Sequence, residues 1–178
     1  MTRRLTLLVL LAALGCRSRE SRIASLIEDL GMEDPRSGRA VRGLLDIGEP
    51  AVPALVAALG DPLPRRRAAA ASVIWGLGAR AAPAAPALGA ALADAEPAVR
   101  LSAAMALESM GPAASPAVPA LVKALGDADG NVRLWAAKAL GAIGAGAREA
   151  VPALAAAARH DALRGAAEES IRRINAAR

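Results

Sequence analysis

The chain has 178 residues, 54% of them hydrophobic, yet no Phe or Tyr and only two Trp. That leaves room for one domain or one modest repeat array, whose core of Ala, Leu, Val and Ile needs many closely packed helices. The formal charge of +5 falls to +3 without Arg3 and Arg4, a weak basic bias that argues for no nucleic-acid partner, and a single Cys with a single His excludes an intrachain disulfide and argues against a Cys/His metal site. In chain order, residues 1–4 carry two arginines and residues 5–15 form an uncharged, mostly apolar run. The run is too short to cross a membrane, which takes about 20 residues, and it fits the apolar region of a secretory signal peptide.

That run ends in Ala13-Leu14-Gly15-Cys16, which resembles a bacterial lipobox. The resemblance implies cleavage before Cys16 and a lipid on that residue, with 16–21 as lipidated Cys and tether. Ala13 departs from the motif, which most often has Leu there. Arg17, not Asp, follows the Cys, and by resemblance to Gram-negative lipoproteins this favours the periplasmic face of the outer membrane. An ordinary signal peptide, giving a secreted or soluble periplasmic product, is the plainer alternative.

From residue 22 onward the chain repeats. Pro53, Pro86, Pro119 and Pro152 stand 33 residues apart, and Asp61, Asp94 and Asp127 share the period, as do Arg67, Arg100 and Arg133. Each unit predicts two helices. Helix A opens with Pro in its first turn, where the missing N–H costs nothing, and carries a stripe such as Val118, Leu121, Val122 and Leu125. Helix B begins near Val99 and Arg100, with the stripe Ala103, Leu107 and Met110 repeated as Ala70, Ile74, Leu77 and as Ala136, Leu140, Ile143. Gly78, Gly111 and Gly144 follow these stripes and are expected to end helix B in the left-handed conformation. Ile23, Leu26, Ile27 and Leu30, with Ala40, Leu44 and Ile47, form a degenerate first unit; Ala167, Ile171 and Ile174 mark the last helix B. The units fall at about 20–48, 49–78, 79–111, 112–144 and 145–178. One pair cannot bury its own stripe, so the units stack and share a continuous core.

The run AVPALVKALGDADGNVRLWAAKALGAIG (117–144) and its copies resemble HEAT repeats, in the short bacterial form often labelled PBS-lyase HEAT-like. The resemblance implies an all-α, right-handed α-solenoid, or superhelix, of about five helix pairs, with the B helices lining its concave face. It also implies a hydrogen-bonded ladder of Asp and Arg between adjacent units, matched here by Asp61/Arg67, Asp94/Arg100 and Asp127/Arg133. A carboxylate in the inter-helix turn can accept from turn N–H groups and from a guanidinium. At the ends the pattern fails, with His160 and Ala166 in the Asp and Arg places and Ala40 in the Arg place after Asp34.

A fold of this kind says little of function. His160 stands alone, no Cys/His pair exists once Cys16 is assigned to the lipid, and the glycines sit as helix terminators, not in a phosphate loop. No enzyme activity, cofactor, metal or small-molecule substrate is therefore expected. Phycobilin lyases and DNA glycosylases with HEAT-like domains are enzymatic alternatives that the resemblance raises; two Trp make a poor stacking platform for nucleic acid. The outward side of helix B carries Trp75, Met105, Glu108, Trp135 and Lys138, and Trp and Met on such a face suit a protein partner. Each Trp could instead lie against the next helix as packing. The expectation is a lipid-anchored interaction scaffold of the cell envelope that binds a protein on this face. A regulatory adaptor of an envelope enzyme or transporter is the alternative.

Overall fold

The computed structural model describes residues 18–33, 35–159 and 161–177. The leader assigned to residues 1–15, the lipidation residue Cys16, Asp34 and His160 lie outside the described residues. The helices are α1 (residues 18–29), α2 (Pro35–Ile47), α3 (Val52–Ala58), α4 (Pro64–Leu77), α5 (Ala85–Ala91), α6 (Pro97–Met110), α7 (Val118–Ala124), α8 (Gly130–Ile143), α9 (Val151–Ala157) and α10 (Asp161–Ala176). Short 3₁₀ stretches, Glu49–Ala51, Gly78–Ala84, Gly111–Ala117 and Gly144–Ala150, lead into α3, α5, α7 and α9. Among the described residues there is no strand. The odd-numbered helices are the A layer and the even-numbered ones the B layer. The B helices α2, α4, α6, α8 and α10 pack one against the next along the array, so the molecule is an all-α solenoid.

The predicted stripes are its core. Ala70, Ile74, Leu77, Ala103, Leu107, Met110, Ala136, Leu140 and Ile143 are all buried, as are Leu55, Leu88, Leu121 and Leu154 of the A layer. A B helix has neighbours on both sides, so its apolar surface is wider than a stripe. Ala71 and Val73, Ala104 and Ala106, and Ala137 and Ala139 flank the central rows and are also buried. Small side chains there let helices approach closely. At the tightest point, Ser170 Oγ donates to the Ala137 carbonyl across α10 and α8 at 2.8 Å.

Four details differ from the sequence pattern. The B helices start earlier than Val99 implied, with Pro64 and Pro97 as first residues of α4 and α6. Proline has no N–H to leave orphaned there and its φ already suits a helix. In α8 a Gly takes that place and Asp129 caps the helix instead, its side chain accepting from Asn131 N at 2.7 Å. The glycines after the B stripes have positive φ but not left-handed helical geometry: Gly78 lies at φ 56, ψ −135 and Gly144 at φ 68, ψ −132. That is close to the first central position of a type II′ turn, open to glycine because it lacks a Cβ. Residues 18–21, read as part of a tether, belong to α1. Ile23 within it and Leu30 just past its end are buried in the core and hold it in place.

The terminal units also shift register. Leu163, Ala167, Ser170 and Ile174 are the buried positions of α10, matching Val132, Ala136, Ala139 and Ile143 at an offset of 31, not 33. Arg164, not Ala166, therefore stands in the place of Arg133. In the first unit Ala40 and Leu44 match Ala70 and Ile74 at an offset of 30, so Ser37, not Ala40, takes the place of Arg67. Ser37 Oγ accepts from the Gly31 N–H at 3.2 Å, a local substitute for a longer reach.

Candidate functional site

Two sets of polar and aromatic residues stand apart from the core: the turns between A and B helices, and the solvent side of the B layer. The turns come first because they decide which residues are spent on stacking. Asp94 ends the turn after α5, and its Oδ1 accepts from the Glu96 N–H at 2.9 Å. The same carboxylate takes both prongs of Arg67 from the preceding unit, Nε at 2.7 Å and Nη2 at 2.7 Å. The remaining Nη1 of Arg67 donates to the Asp61 and Pro62 carbonyls of its own turn at 2.9 and 3.2 Å. One unit on, Arg100 repeats this on Asp127 at 2.8 and 2.9 Å and on the Asp94 carbonyl at 3.0 Å. The ladder thus runs between units, each guanidinium closing its own turn while gripping the next turn's carboxylate bidentately.

The ends of the ladder work differently. Asp61 meets no arginine from the first unit, where Ser37 stands, and is gripped instead by Arg66 of its own unit at 2.8 Å. Arg66 reaches back to the Glu28 and Leu30 carbonyls at 3.1 and 3.4 Å, tying the first unit to the second through backbone acceptors. Arg133 donates to the Asp127 and Ala128 carbonyls at 2.6 and 3.0 Å. Arg66 falls outside the 33-residue pattern, since Val99 and Val132 occupy its place in later units. Charge pairing sets the electrostatics. The Arg67 guanidinium holds the Asp94 carboxyl below its ordinary range, Arg100 does the same to Asp127, and Arg66 to Asp61. Their partners Arg67 and Arg100 are raised in turn. All six predicted ladder residues are therefore engaged in holding turns and units together.

The solvent side of the B layer brings the other predicted residues onto one face. Trp75 near the end of α4 is 48% exposed, one of the few large apolar side chains so placed. Met105 and Glu108 on α6 are half-buried. Trp135 near the start of α8 is half-buried and packed on the core, and Lys138 one turn on sits with Nζ 4.4 Å from the indole centroid. That is cation–π distance, so part of the Trp135 ring face is already covered. The two tryptophans do not form one cluster. Trp135 lies two B helices away from Trp75, on the order of 20 Å at ordinary helix spacing, and about two turns nearer its helix start. The packing and binding readings consequently divide between them. Trp75→Ala should leave the melting temperature within about 2 °C of wild type, whereas Trp135→Ala should lower it by roughly 3–8 °C in a thermal melt.

On the opposite side, a shallow groove of about 470 Å³ runs between α5 and α7, lined by Pro86, Gly89, Pro116, Pro119, Ala120 and Lys123 among others. Gly89 stands where Val56 and Val122 stand in neighbouring units, and the missing side chain opens the groove. Among the described residues, no group of three or more His, Cys, Asp or Glu is placed to hold a metal, and no helix is long and apolar enough to cross a membrane.

Stacked helix pairs, a ladder between their turns and an open B-layer face define an α-solenoid. Residues 85–172 match the family profile described as HEAT repeats. The complex of CpcE and CpcF of phycocyanin lyase from Nostoc sp. PCC7120 superposes with a TM-score of 0.69 at 23% identity, over 84% of this chain and 98% of that one. A designed armadillo repeat protein in complex with the peptide (KR)4 does so at 0.64 and 19% identity, over 84% and 80%. An engineered protein reaches 0.59 at 22% identity, over 87% and 80%. No curated protein matches the chain in sequence. At these identities the likeness establishes the fold alone.

Proposed function

We propose that this chain is a non-catalytic scaffold, anchored by a lipid on Cys16 in a bacterial cell envelope, that binds a protein partner on its B-layer face. One observation carries the reading: the ladder residues and the stripes are engaged in stacking, while Trp75 remains exposed on a face that no described residue covers. A large, rigid indole left in water is a common anchor for a partner. Met105 and Glu108 continue the face onto the next helix. The anchor rests on the lipobox-like residues 13–16, and α1 begins by residue 18, so a lipid there would hold the first unit close to the bilayer.

Two measurements test it. Labelling cells with a fatty-acid analogue should tag the protein, and Cys16→Ser should abolish the tag; an unlabelled wild type would rule out the lipid anchor. Crosslinking pull-down of the mature chain from its own envelope should recover a partner whose yield falls at least fivefold in Trp75→Ala. A yield unchanged by that substitution would move the binding site off this face. The fold shared with the phycocyanin lyase subunits favours a second, enzymatic reading. A phycobilin titrated into the mature chain should keep its absorption spectrum on the scaffold reading and change it on the other.

A further inference from the structure

The B-layer face has a charge pattern that selects among partners. Arg39 and Arg42, one turn apart on α2, are both exposed, and neither makes an ion pair or hydrogen bond with any described residue. By the register of the buried positions they occupy the same rows as Ala69 and Ser72 on α4, as Ser102 and Met105 on α6, and as Trp135 and Lys138 on α8. The face therefore runs from two free guanidinium groups, past the exposed Trp75 and the half-buried Met105, to the Lys138 ammonium over the Trp135 ring. Three carboxylates share it, Asp46, Glu108 and, in the row of Lys138 on α10, Glu169, which is paired with Arg172 at 2.7 Å. Asp46 lines a polar hollow together with Arg19 and Arg22, two cations to one carboxylate.

Resting on the reading that this face binds a protein, we infer that its occupant is an extended acidic segment of a partner, with carboxylates at both ends and apolar side chains between. Free surface guanidinium groups donate to carboxylates in fork geometry, and an ammonium held over an indole keeps its outer side for an anion. The span sets the spacing. Three helix intervals separate α2 from α8, about 25–30 Å at ordinary packing distances, which an extended chain covers in about eight residues. The first acidic group meets Arg39 and Arg42, an apolar side chain lies on Trp75 and Met105, and a second acidic group about eight residues along meets Lys138. Glu108, between the two, disfavours an acidic residue at the centre of the segment and disfavours a uniformly anionic strand.

The test uses the mature chain, from Cys16, unacylated, and fluorescein-labelled decapeptides: one with glutamates at both ends and a leucine-alanine middle, its lysine counterpart, and a decanucleotide of single-stranded DNA. Anisotropy should show the acidic peptide binding at least tenfold more tightly than either of the others at low salt, and weakening as salt rises. Arg39→Glu with Arg42→Glu should reduce that affinity at least tenfold, Lys138→Glu severalfold, and Lys123→Glu on the opposite side should change nothing. Circular dichroism checks that the charge-reversed chain stays folded, as substitution of exposed, unpaired residues predicts. Preference for the lysine peptide or the DNA, or an acidic peptide indifferent to Arg39→Glu and Arg42→Glu, overturns the proposal. So does tighter binding to phosphatidylglycerol vesicles that the same two substitutions abolish, which would assign the arginines to a lipid surface. If any peptide binds and Trp75→Ala weakens it while charge reversal does not, the face is right and the acidic occupant wrong; if Trp75→Ala leaves all binding intact, the face itself is wrong.

Discussion

Gly141→Ala should lower the melting temperature by roughly 5–10 °C, although alanine is the better helix former. A Cβ built at Gly141 would lie 2.6 Å from Ser170 Oγ and 2.9 Å from Ser170 Cα, the backbone of α10. Real Cβ atoms do not approach so closely, and a backbone cannot turn aside as a side chain can. The last two B helices must therefore part, which breaks the 2.8 Å bond from Ser170 Oγ to the Ala137 carbonyl and opens buried surface on both. Overpacking of this kind costs about 2–3 kcal/mol, which at this chain length gives the stated shift. Two companion substitutions fix the interpretation. Gly165→Ala on α10 meets nothing within 4 Å and should instead stabilise by about 0.5–1 kcal/mol through helix propensity. Gly76→Ala meets Leu45 Cδ2 at 2.7 Å, the movable end of a side chain, and should fall between the two. Ala103→Leu, at a fully buried position of α6, should resemble Gly141→Ala. A thermal melt of these four variants reads the B layer as a set of contacts of different stiffness.

The ladder gives the second large effect. Asp127→Ala should cost about 2–3 kcal/mol, because the Arg100 guanidinium would lose a bidentate carboxylate while remaining largely enclosed, and the Asp129 N–H would lose its acceptor. Its pH dependence follows from the folded-state titration. Asp61, Asp94 and Asp127 all titrate below the ordinary 3.8, each because an arginine bonds its ionised form, supported by a turn N–H. A depressed folded value means that the unfolded chain takes up protons first as the pH drops. The stability these carboxylates supply is thus complete above about pH 4 and is lost as the pH falls through their folded values below that. Wild type should lose stability steeply from pH 4 downward in an acid titration followed by circular dichroism. Asp94→Asn with Asp127→Asn should begin less stable at pH 7 and show a flatter acid limb.

Much of this architecture is readable in the residues themselves. The 33-residue recurrence of Pro53, Pro86, Pro119 and Pro152 and the Ala-Leu-Met or Ala-Leu-Ile stripes specify helices, layers and core, because repeated units must bury the same positions. Periodicity fails where the repeat is broken. Loops of altered length move the first and last units to offsets of 30 and 31, so Ser37 and Arg164 hold places that a strict count gives to Ala40 and Ala166. Arg66 has no counterpart in later units and shows its role only once Asp61 is seen without a partner from the first unit. The direction of the ladder, Arg67 to Asp94 and not to Asp61's carboxylate, depends on which turn lies beside which. The two tryptophans are the clearest case. Both fall on the outward side of helix B, yet Trp75 stands in solvent and Trp135 lies on the core under Lys138, a distinction set by neighbours and not by spacing.

The claim that function resides on the B-layer face, with everything else holding the stack, is tested most directly by placing a photoreactive amino acid at one of two exposed positions. One position is Ser72 on the B layer, a turn before Trp75, and the other Ala90 on the A layer. Irradiated in the native envelope, the residue-72 variant should give a discrete crosslinked product and the residue-90 variant none. A product from residue 90, with residue 72 silent, would contradict the assignment of the face.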